Sequence, residues 1–232
     1  NTIRFSGPAN VSNLDFNCTN SLVGLLFKRT WADHDEDMDS SIQNCDFNCW
    51  NGGGDDPPGY ETAVAVQYWG RNLKFTNNRM KTAKNSRAGL QLLYYTSGDG
   101  SGGSAISTTK GFRRTSITNN TFHSFENSNG VLVGGGVSGP ADGSPQSSSV
   151  PLTGLVFSNN TIDFEGTLFV SAYPLQGGTF TGNSCYWGNC AEHGGQKTYI
   201  TIFNGTSVVI VGNSFDGDAR ANKPDAAVNI SG

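Results

Sequence analysis

Ile117-Thr118-Asn119-Asn120-Thr121-Phe122 and Phe157-Ser158-Asn159-Asn160-Thr161-Ile162 are two copies of one six-residue phrase. Each runs apolar, any residue, Asn or Gly, a second turn residue, any residue, apolar. The same phrase opens at Val11, Ile42, Phe75, Phe180 and Ile210. Its fourth position falls at residues 14, 45, 78, 120, 160, 183 and 213, in steps of 31, 33, 42, 40, 23 and 30. Steps this uneven do not suit a repeat of helical hairpins. They suit a coil of fixed size that tolerates loop insertions. Working outward, every copy is followed by an alternating stretch: Val23–Leu25, Val64–Val66, Leu90–Leu92, Val131–Val133, Leu168–Val170, Ile200–Ile202 and Val228–Ile230. Period-2 alternation points the end residues inward and the middle ones outward. One coil is then a strand, a tight turn, a second strand, a loop and a long alternating strand. Coils would stack about 4.8 Å apart, with equivalent side chains in columns.

Composition agrees with that reading. The chain has 232 residues, 35% of them hydrophobic, with 31 glycines. Asn, Ser and Thr are abundant, and these favour turns and caps over helix interiors. Aromatic and β-branched residues recur throughout, which argues against disorder. The formal charge is 15 − 19 = −4, with no basic block along the sequence, so no nucleic-acid partner is expected. No apolar run reaches the length of a membrane span, so no membrane insertion is expected.

The turns Phe75–Met80, Ile117–Phe122, Phe157–Ile162, Phe180–Cys185 and Ile210–Phe215 resemble those of the pectate-lyase-like right-handed parallel β-helix superfamily. Among its members they are most similar to the β-helix repeats of bacteriophage tailspikes and polysaccharide depolymerases. Asn78, Asn120, Asn160, Asn183 and Asn213 look like that superfamily's asparagine ladder, a structural column. The expected fold is all-β: a right-handed, single-stranded parallel β-helix of about seven coils, open at both ends. Residues 1–232 read as a single domain. Thr2–Gly7 and Ala227–Gly232 share one form and meet the coil at the same point, so a fragment of a longer chain is expected.

The resemblance implies a body that engages a polysaccharide or surface glycan, at an extracellular or virion surface. A homotrimer, or an end-to-end neighbour covering the open coils, would be the assembly. If catalytic, the protein would be a polysaccharide lyase or a glycoside hydrolase. The alternatives are a non-catalytic fibre shaft or adhesin, and a monomeric secreted pectate-lyase-like enzyme. No cofactor or metal is implied.

Aligning the long strands on Val23, Val64, Leu90, Val131, Leu168, Ile200 and Val228 places Lys28, Trp69, Tyr95, Gly136 and Tyr173 in one outward column. Lys28, Trp69, Tyr95 and Tyr173 are the candidate carbohydrate contacts, since aromatic faces stack on the C–H faces of pyranose rings. The other reading is a hydrophobic seam under a loop or a neighbouring chain. Three positions before the alignment residue stand Asn20, Glu61, Arg87, Ser128, Glu165, Lys197 and Asp225. Their alternating signs read as an ion-pair ladder, with Glu61 or Glu165 as general acid or base in the functional reading. Glycoside hydrolysis needs two carboxyls about 5–10 Å apart. Lyase chemistry needs a base and a neutraliser for the uronate. The catalytic candidates are Glu61, Asp55, Asp56, Asp35 and Asp99, and spacing singles out no pair.

The acidic loop Asp33–Asp39 lacks the Gly and Glu of an EF-hand, which leaves a solvated loop or a non-EF calcium site. Gly-rich loops at 97–103 and 134–143 read as one wall of a groove or as filler. Asn13–Cys18 and Asn44–Cys49 are near-copies on successive coils, so Cys18 and Cys49 share a column within disulfide range. Cys185 and Cys190 flank a four-residue loop and form a second candidate bridge, the alternative being a reduced stack. Cys45 is left as a buried thiol. Sequons at Asn10, Asn17, Asn119, Asn159, Asn204 and Asn229 arise partly from the turn phrase itself.

Overall fold

The chain folds as a parallel β-helix. The computed structural model describes residues 2–17, 23–27, 39–49, 64–69, 71–82, 88–93, 114–123, 129–133, 151–162, 167–171, 174–187, 198–217 and 226–231. Among these, three long parallel sheets run the length of the stack. The first sheet collects the long strands Ile3–Phe5, Val23–Phe27, Val64–Trp69, Ala88–Leu93, Asn129–Val133, Thr167–Ser171, Thr198–Phe203 and Ala226–Ser231. The other two collect the strands before and after each turn, such as Ser116–Thr118 and Thr121–His123. Strand order in all three follows the chain, so among the described strands every coil pairs only with the one before and the one after. A fourth sheet of three short strands, Leu152–Thr153, Leu175–Gln176 and Gly205–Thr206, joins the later coils. Parallel strands connected by such crossovers wind right-handedly.

The two apolar positions of the phrase line the core. Val11, Ile42, Phe75, Ile117, Phe157, Phe180 and Ile210 form one column through successive pairings. Phe16, Phe47, Met80, Phe122, Ile162, Cys185 and Phe215 form the second. From the long sheet, Phe169 packs its ring 5.2 Å from Phe157 and 4.9 Å from Phe180, both edge-on. Each such side chain, fully withdrawn from water, contributes about 1.5–3 kcal/mol. The interior is a ladder of aromatic and aliphatic rungs.

Two columns of left-handed residues mark corners of the stacked coils. At the turn the left-handed residue is the third position of the phrase: Asn13, Asn44, Asn77, Asn119 and Asn159, with φ between 53° and 57°, then Gly182 and Gly212 at 62° and 64°. Asn and Gly are the residues that tolerate this conformation. With the third position left-handed, the fourth is free to turn its amide inward. A second left-handed column precedes the turn strands: Asp39, Asn72, Arg114, Gly154, Gly177 and Ser207, with φ from 20° to 69°. In-register pairing of the following strands sets these six side by side.

Arg114 is an exposed residue at a position where its neighbour coil uses glycine. A side chain in this region costs about 1–2 kcal/mol, and glycine returns roughly half of that as chain entropy. Arg114→Gly should therefore raise the unfolding free energy by about 0.5–1 kcal/mol in a urea titration. An unchanged or lowered midpoint would show that the guanidinium makes a contact worth more than the strain.

Candidate functional site

Among the described residues, the ladder asparagines form a continuous hydrogen-bonded column from Asn78 to Asn213. Asn160 donates through Nδ2 to Asn183 Oδ1 at 3.1 Å and to the Ile117 carbonyl at 2.9 Å. Its Oδ1 accepts from Asn120 Nδ2 at 2.9 Å and from the Asn120 backbone N–H at 3.1 Å. Asn120 and Asn183 repeat the same four-bond pattern, while Asn78, whose neighbour in the ladder is Cys45, keeps both donor bonds and accepts from the Cys45 backbone N–H. Asn213 ends the series, donating to the Phe180 carbonyl at 3.0 Å and to the Val211 carbonyl at 3.3 Å. A primary amide has two donor hydrogens and one acceptor oxygen with two lone pairs. In the inner rungs every one is used, so a polar column sits in the core without desolvation debt. These side chains hold structure and offer nothing to a substrate.

Cys45 takes the ladder position in its coil. Its backbone N–H still donates to Asn78 Oδ1 at 3.0 Å, and its thiol donates to the Gln43 carbonyl at 3.3 Å. Burial pushes its pKa up from the ordinary thiol value, so it stays a protonated, inert thiol. Cys185 departs from expectation. It is a free, buried thiol in the interior column between Ile162 and Phe215, where burial also pushes its pKa up. The reason is alternation: Cys185 closes its copy of the phrase, a position that always points into the core. The anticipated bridge from Cys185 to Cys190 gives way to a core thiol, and Cys190 lies outside the described residues. Cys49 is buried on the strand Asp46–Cys49, and Cys18 lies outside the described residues.

Long-strand register also differs from the alignment made on sequence. Val23 pairs with Val64 as expected. Leu90, however, pairs with Val66, and Val131 pairs with Phe169, not Leu168. Trp69 consequently stands beside Leu93, two residues short of Tyr95. Both Leu168 and Phe169 are fully buried, so apolarity alone did not distinguish the rung partner from its neighbour. On the outward side of this sheet Gln67 donates to Gln91 Oε1 at 2.9 Å, with both side chains buried. Lys28, Tyr95, Gly136 and Tyr173 lie outside the described residues. So do Asp35, Asp55, Asp56, Glu61 and Asp99, the charged column from Asn20 to Asp225, both Gly-rich loops, and the acidic loop up to Met38. Asp39 is described, and its carboxylate accepts from Asn72 Nδ2 at 2.8 Å.

What the described residues do bring together is the outer face of the sheet that follows the turn. Its first column carries Asp15, Asp46, Arg79, Thr121, Thr161, Ser184 and Ser214. Its second carries Asn17, Asn48, Lys81 and His123, and then, on the last two of its strands, Tyr186 and Asp216. Asn48 donates to Asn17 Oδ1 at 3.3 Å, and Arg79 meets Asp46 at 3.7 Å with both side chains well exposed. Such a solvated pair contributes at most about 1 kcal/mol. Sequence reading missed this face, because its members are scattered from residue 15 to 216. Period-2 alternation in the short strands was the available signal.

Fold and faces together define a parallel β-helix solenoid with an amide ladder in its core and polar ranks on its flanks. No family model, curated protein or solved structure matches the chain.

Proposed function

We propose that this chain is the carbohydrate-engaging body of an extracellular or virion-borne β-helix protein, similar to the tailspike polysaccharide depolymerases of the pectate-lyase-like superfamily. The observation that carries the reading is the solenoid with its continuous asparagine ladder. Stacked rungs make long, rigid faces on which an extended polymer can lie across several coils, and a rigid scaffold lets loops vary without loss of the core. The reaction would be glycosidic hydrolysis by a pair of carboxyls or β-elimination by a base beside a charge neutraliser. Glu61, Asp55, Asp56, Asp35 and Asp99 are the acids proposed for it, with Lys28, Trp69, Tyr95 and Tyr173 as sugar contacts. Assembly as a homotrimer, or with an end-to-end neighbour, belongs to the same proposal.

The test is incubation of the protein with capsular and plant polysaccharides while following unsaturated-uronate absorbance and new reducing ends. Growth of either signal, lost on substitution of one of the five acids, is the expected result. Binding without cleavage would identify a fibre shaft or adhesin instead. A monomer by light scattering together with cleavage would identify a secreted enzyme of the pectate-lyase-like kind.

A further inference from the structure

The chain is acidic overall, yet its cations are not spread evenly over the described coils. Of the six Lys and Arg residues among them, four fall between Arg71 and Lys81. Arg79 and Lys81 both project from the outer face of the strand Arg79–Thr82, two residues apart and so about 7 Å apart along it. His123 stands in register beside Lys81 on the next coil. The Arg79 side chain is 68% exposed despite its contact with Asp46, so its charge remains available to solvent. Three rungs beyond Lys81, on the same face, Tyr186 is an exposed aromatic, 53% open to solvent. In the adjoining column the hydroxyls of Thr121, Thr161 and Ser184, one per coil, lead from the rung beside Arg79 to the strand of Tyr186.

From this juxtaposition we propose that the outer face of the post-turn sheet binds an anionic polysaccharide, a polymer of uronate or sulfated sugars. Arg79, Lys81 and His123 receive the carboxylate or sulfate groups. Thr121, Thr161 and Ser184 hydrogen-bond ring hydroxyls, and Tyr186 stacks on a pyranose. The cations and the ring are roughly 14 Å apart at about 4.8 Å per rung, a reach that only an oligomer covers. Each part selects for one attribute of that partner. Cations favour polyanions of any kind, while the solvent-facing ring favours a sugar face, so the pair together is more selective than either alone. The inference rests on the reading of the protein as carbohydrate-engaging, and it places the polymer on a different face from the long-strand edge.

The test uses the whole chain and its binding, at low and moderate salt, to hyaluronate, dextran sulfate, neutral dextran, inorganic polyphosphate and single-stranded DNA. Wild type should hold hyaluronate and dextran sulfate more tightly than neutral dextran, and the preference should shrink as salt screens the cations. Arg79→Gln with Lys81→Gln should weaken both acidic glycans by about tenfold, equivalent to about 1.4 kcal/mol. Tyr186→Ser should weaken the acidic glycans severalfold and leave polyphosphate unaffected. Thr121→Glu, which sets an anion directly beside Arg79, should act like the double variant, and thermal melts of all variants should match wild type. Unchanged glycan affinity in well-folded variants would overturn the inference while leaving glycan binding elsewhere intact. Polyphosphate or DNA binding as tight as the acidic glycans, with no dependence on Tyr186, would overturn it in favour of a general polyanion surface. Failure of wild type to bind any glycan would overturn both this inference and the reading beneath it.

Discussion

Replacing Asn160 with Leu should lower the unfolding free energy by about 4 kcal/mol. Asn160 has no exposed surface. Its removal strands the Asn120 side-chain donor, the Asn120 backbone N–H and the Ile117 carbonyl in an apolar interior. Each orphaned buried group costs about 1–3 kcal/mol. The backbone N–H of residue 160 would still reach Asn183 Oδ1, as it does now at 2.9 Å, so the break is confined to one side of the rung. Urea denaturation gives the value. A loss near 1 kcal/mol would mean that the neighbouring amides re-pair or reach water. Asn213→Leu makes the internal comparison, because Asn213 is only half-buried and ends the described ladder. It should lose less than half as much.

Gly130→Ala should cost about 3 kcal/mol, for a reason that does not involve the turn. A Cβ on Gly130 would lie 2.8 Å from the Leu168 carbonyl oxygen and 3.1 Å from Phe122 Cγ. Gly89, one coil earlier, has the same kind of crowding, with the Gly130 carbonyl at 3.0 Å and Phe122 Cδ1 at 3.2 Å. The long strand therefore passes the core ring of Phe122 at a spacing that only a bare backbone allows. The obstacle at Gly130 is a carbonyl of the sheet itself, which moves only if a rung of the ladder moves, and overpacking of this kind is typically worth 1–3 kcal/mol or more. Trimming the ring with Phe122→Leu should not rescue Gly130→Ala, since the carbonyl stays. Rescue in a double-variant cycle would show that the ring, not the backbone, sets the limit.

The parts of this fold legible in the sequence are those where one residue type answers one physical demand. A buried amide that bonds above and below is satisfied only by another amide, so Asn78, Asn120, Asn160, Asn183 and Asn213 repeat visibly. The apolar residues two places either side of the turn are equally plain. Long-strand register was not, because Leu168 and Phe169 are adjacent, both apolar and both buried, so alternation offers two phases. The left-handed column at Asp39, Asn72, Arg114, Gly154, Gly177 and Ser207 was hidden for another reason. Six positions share a backbone angle but only two share a residue type. Cys185 was misread because proximity to Cys190 in sequence outweighed its place as the closing apolar position of the phrase. The basic and aromatic face was invisible for a topological reason: Arg79, Lys81, His123 and Tyr186 become neighbours only after the coils are stacked in register.

That stacking is the claim on which the other statements depend, and inter-residue distances test it without reference to any activity. Ser12, Gln43, Thr76, Thr118, Ser158, Thr181 and Val211 occupy one outer column on seven successive coils. Spin labels at position 12 paired with labels at 158, 181 and 211 span four, five and six rungs. Pulsed electron resonance should return distances near 19, 24 and 29 Å, rising by about 4.8 Å per coil whatever the number of residues between the labels. Distances that fail to climb in equal steps, or that place 211 nearer to 12 than 158 is, would contradict the solenoid.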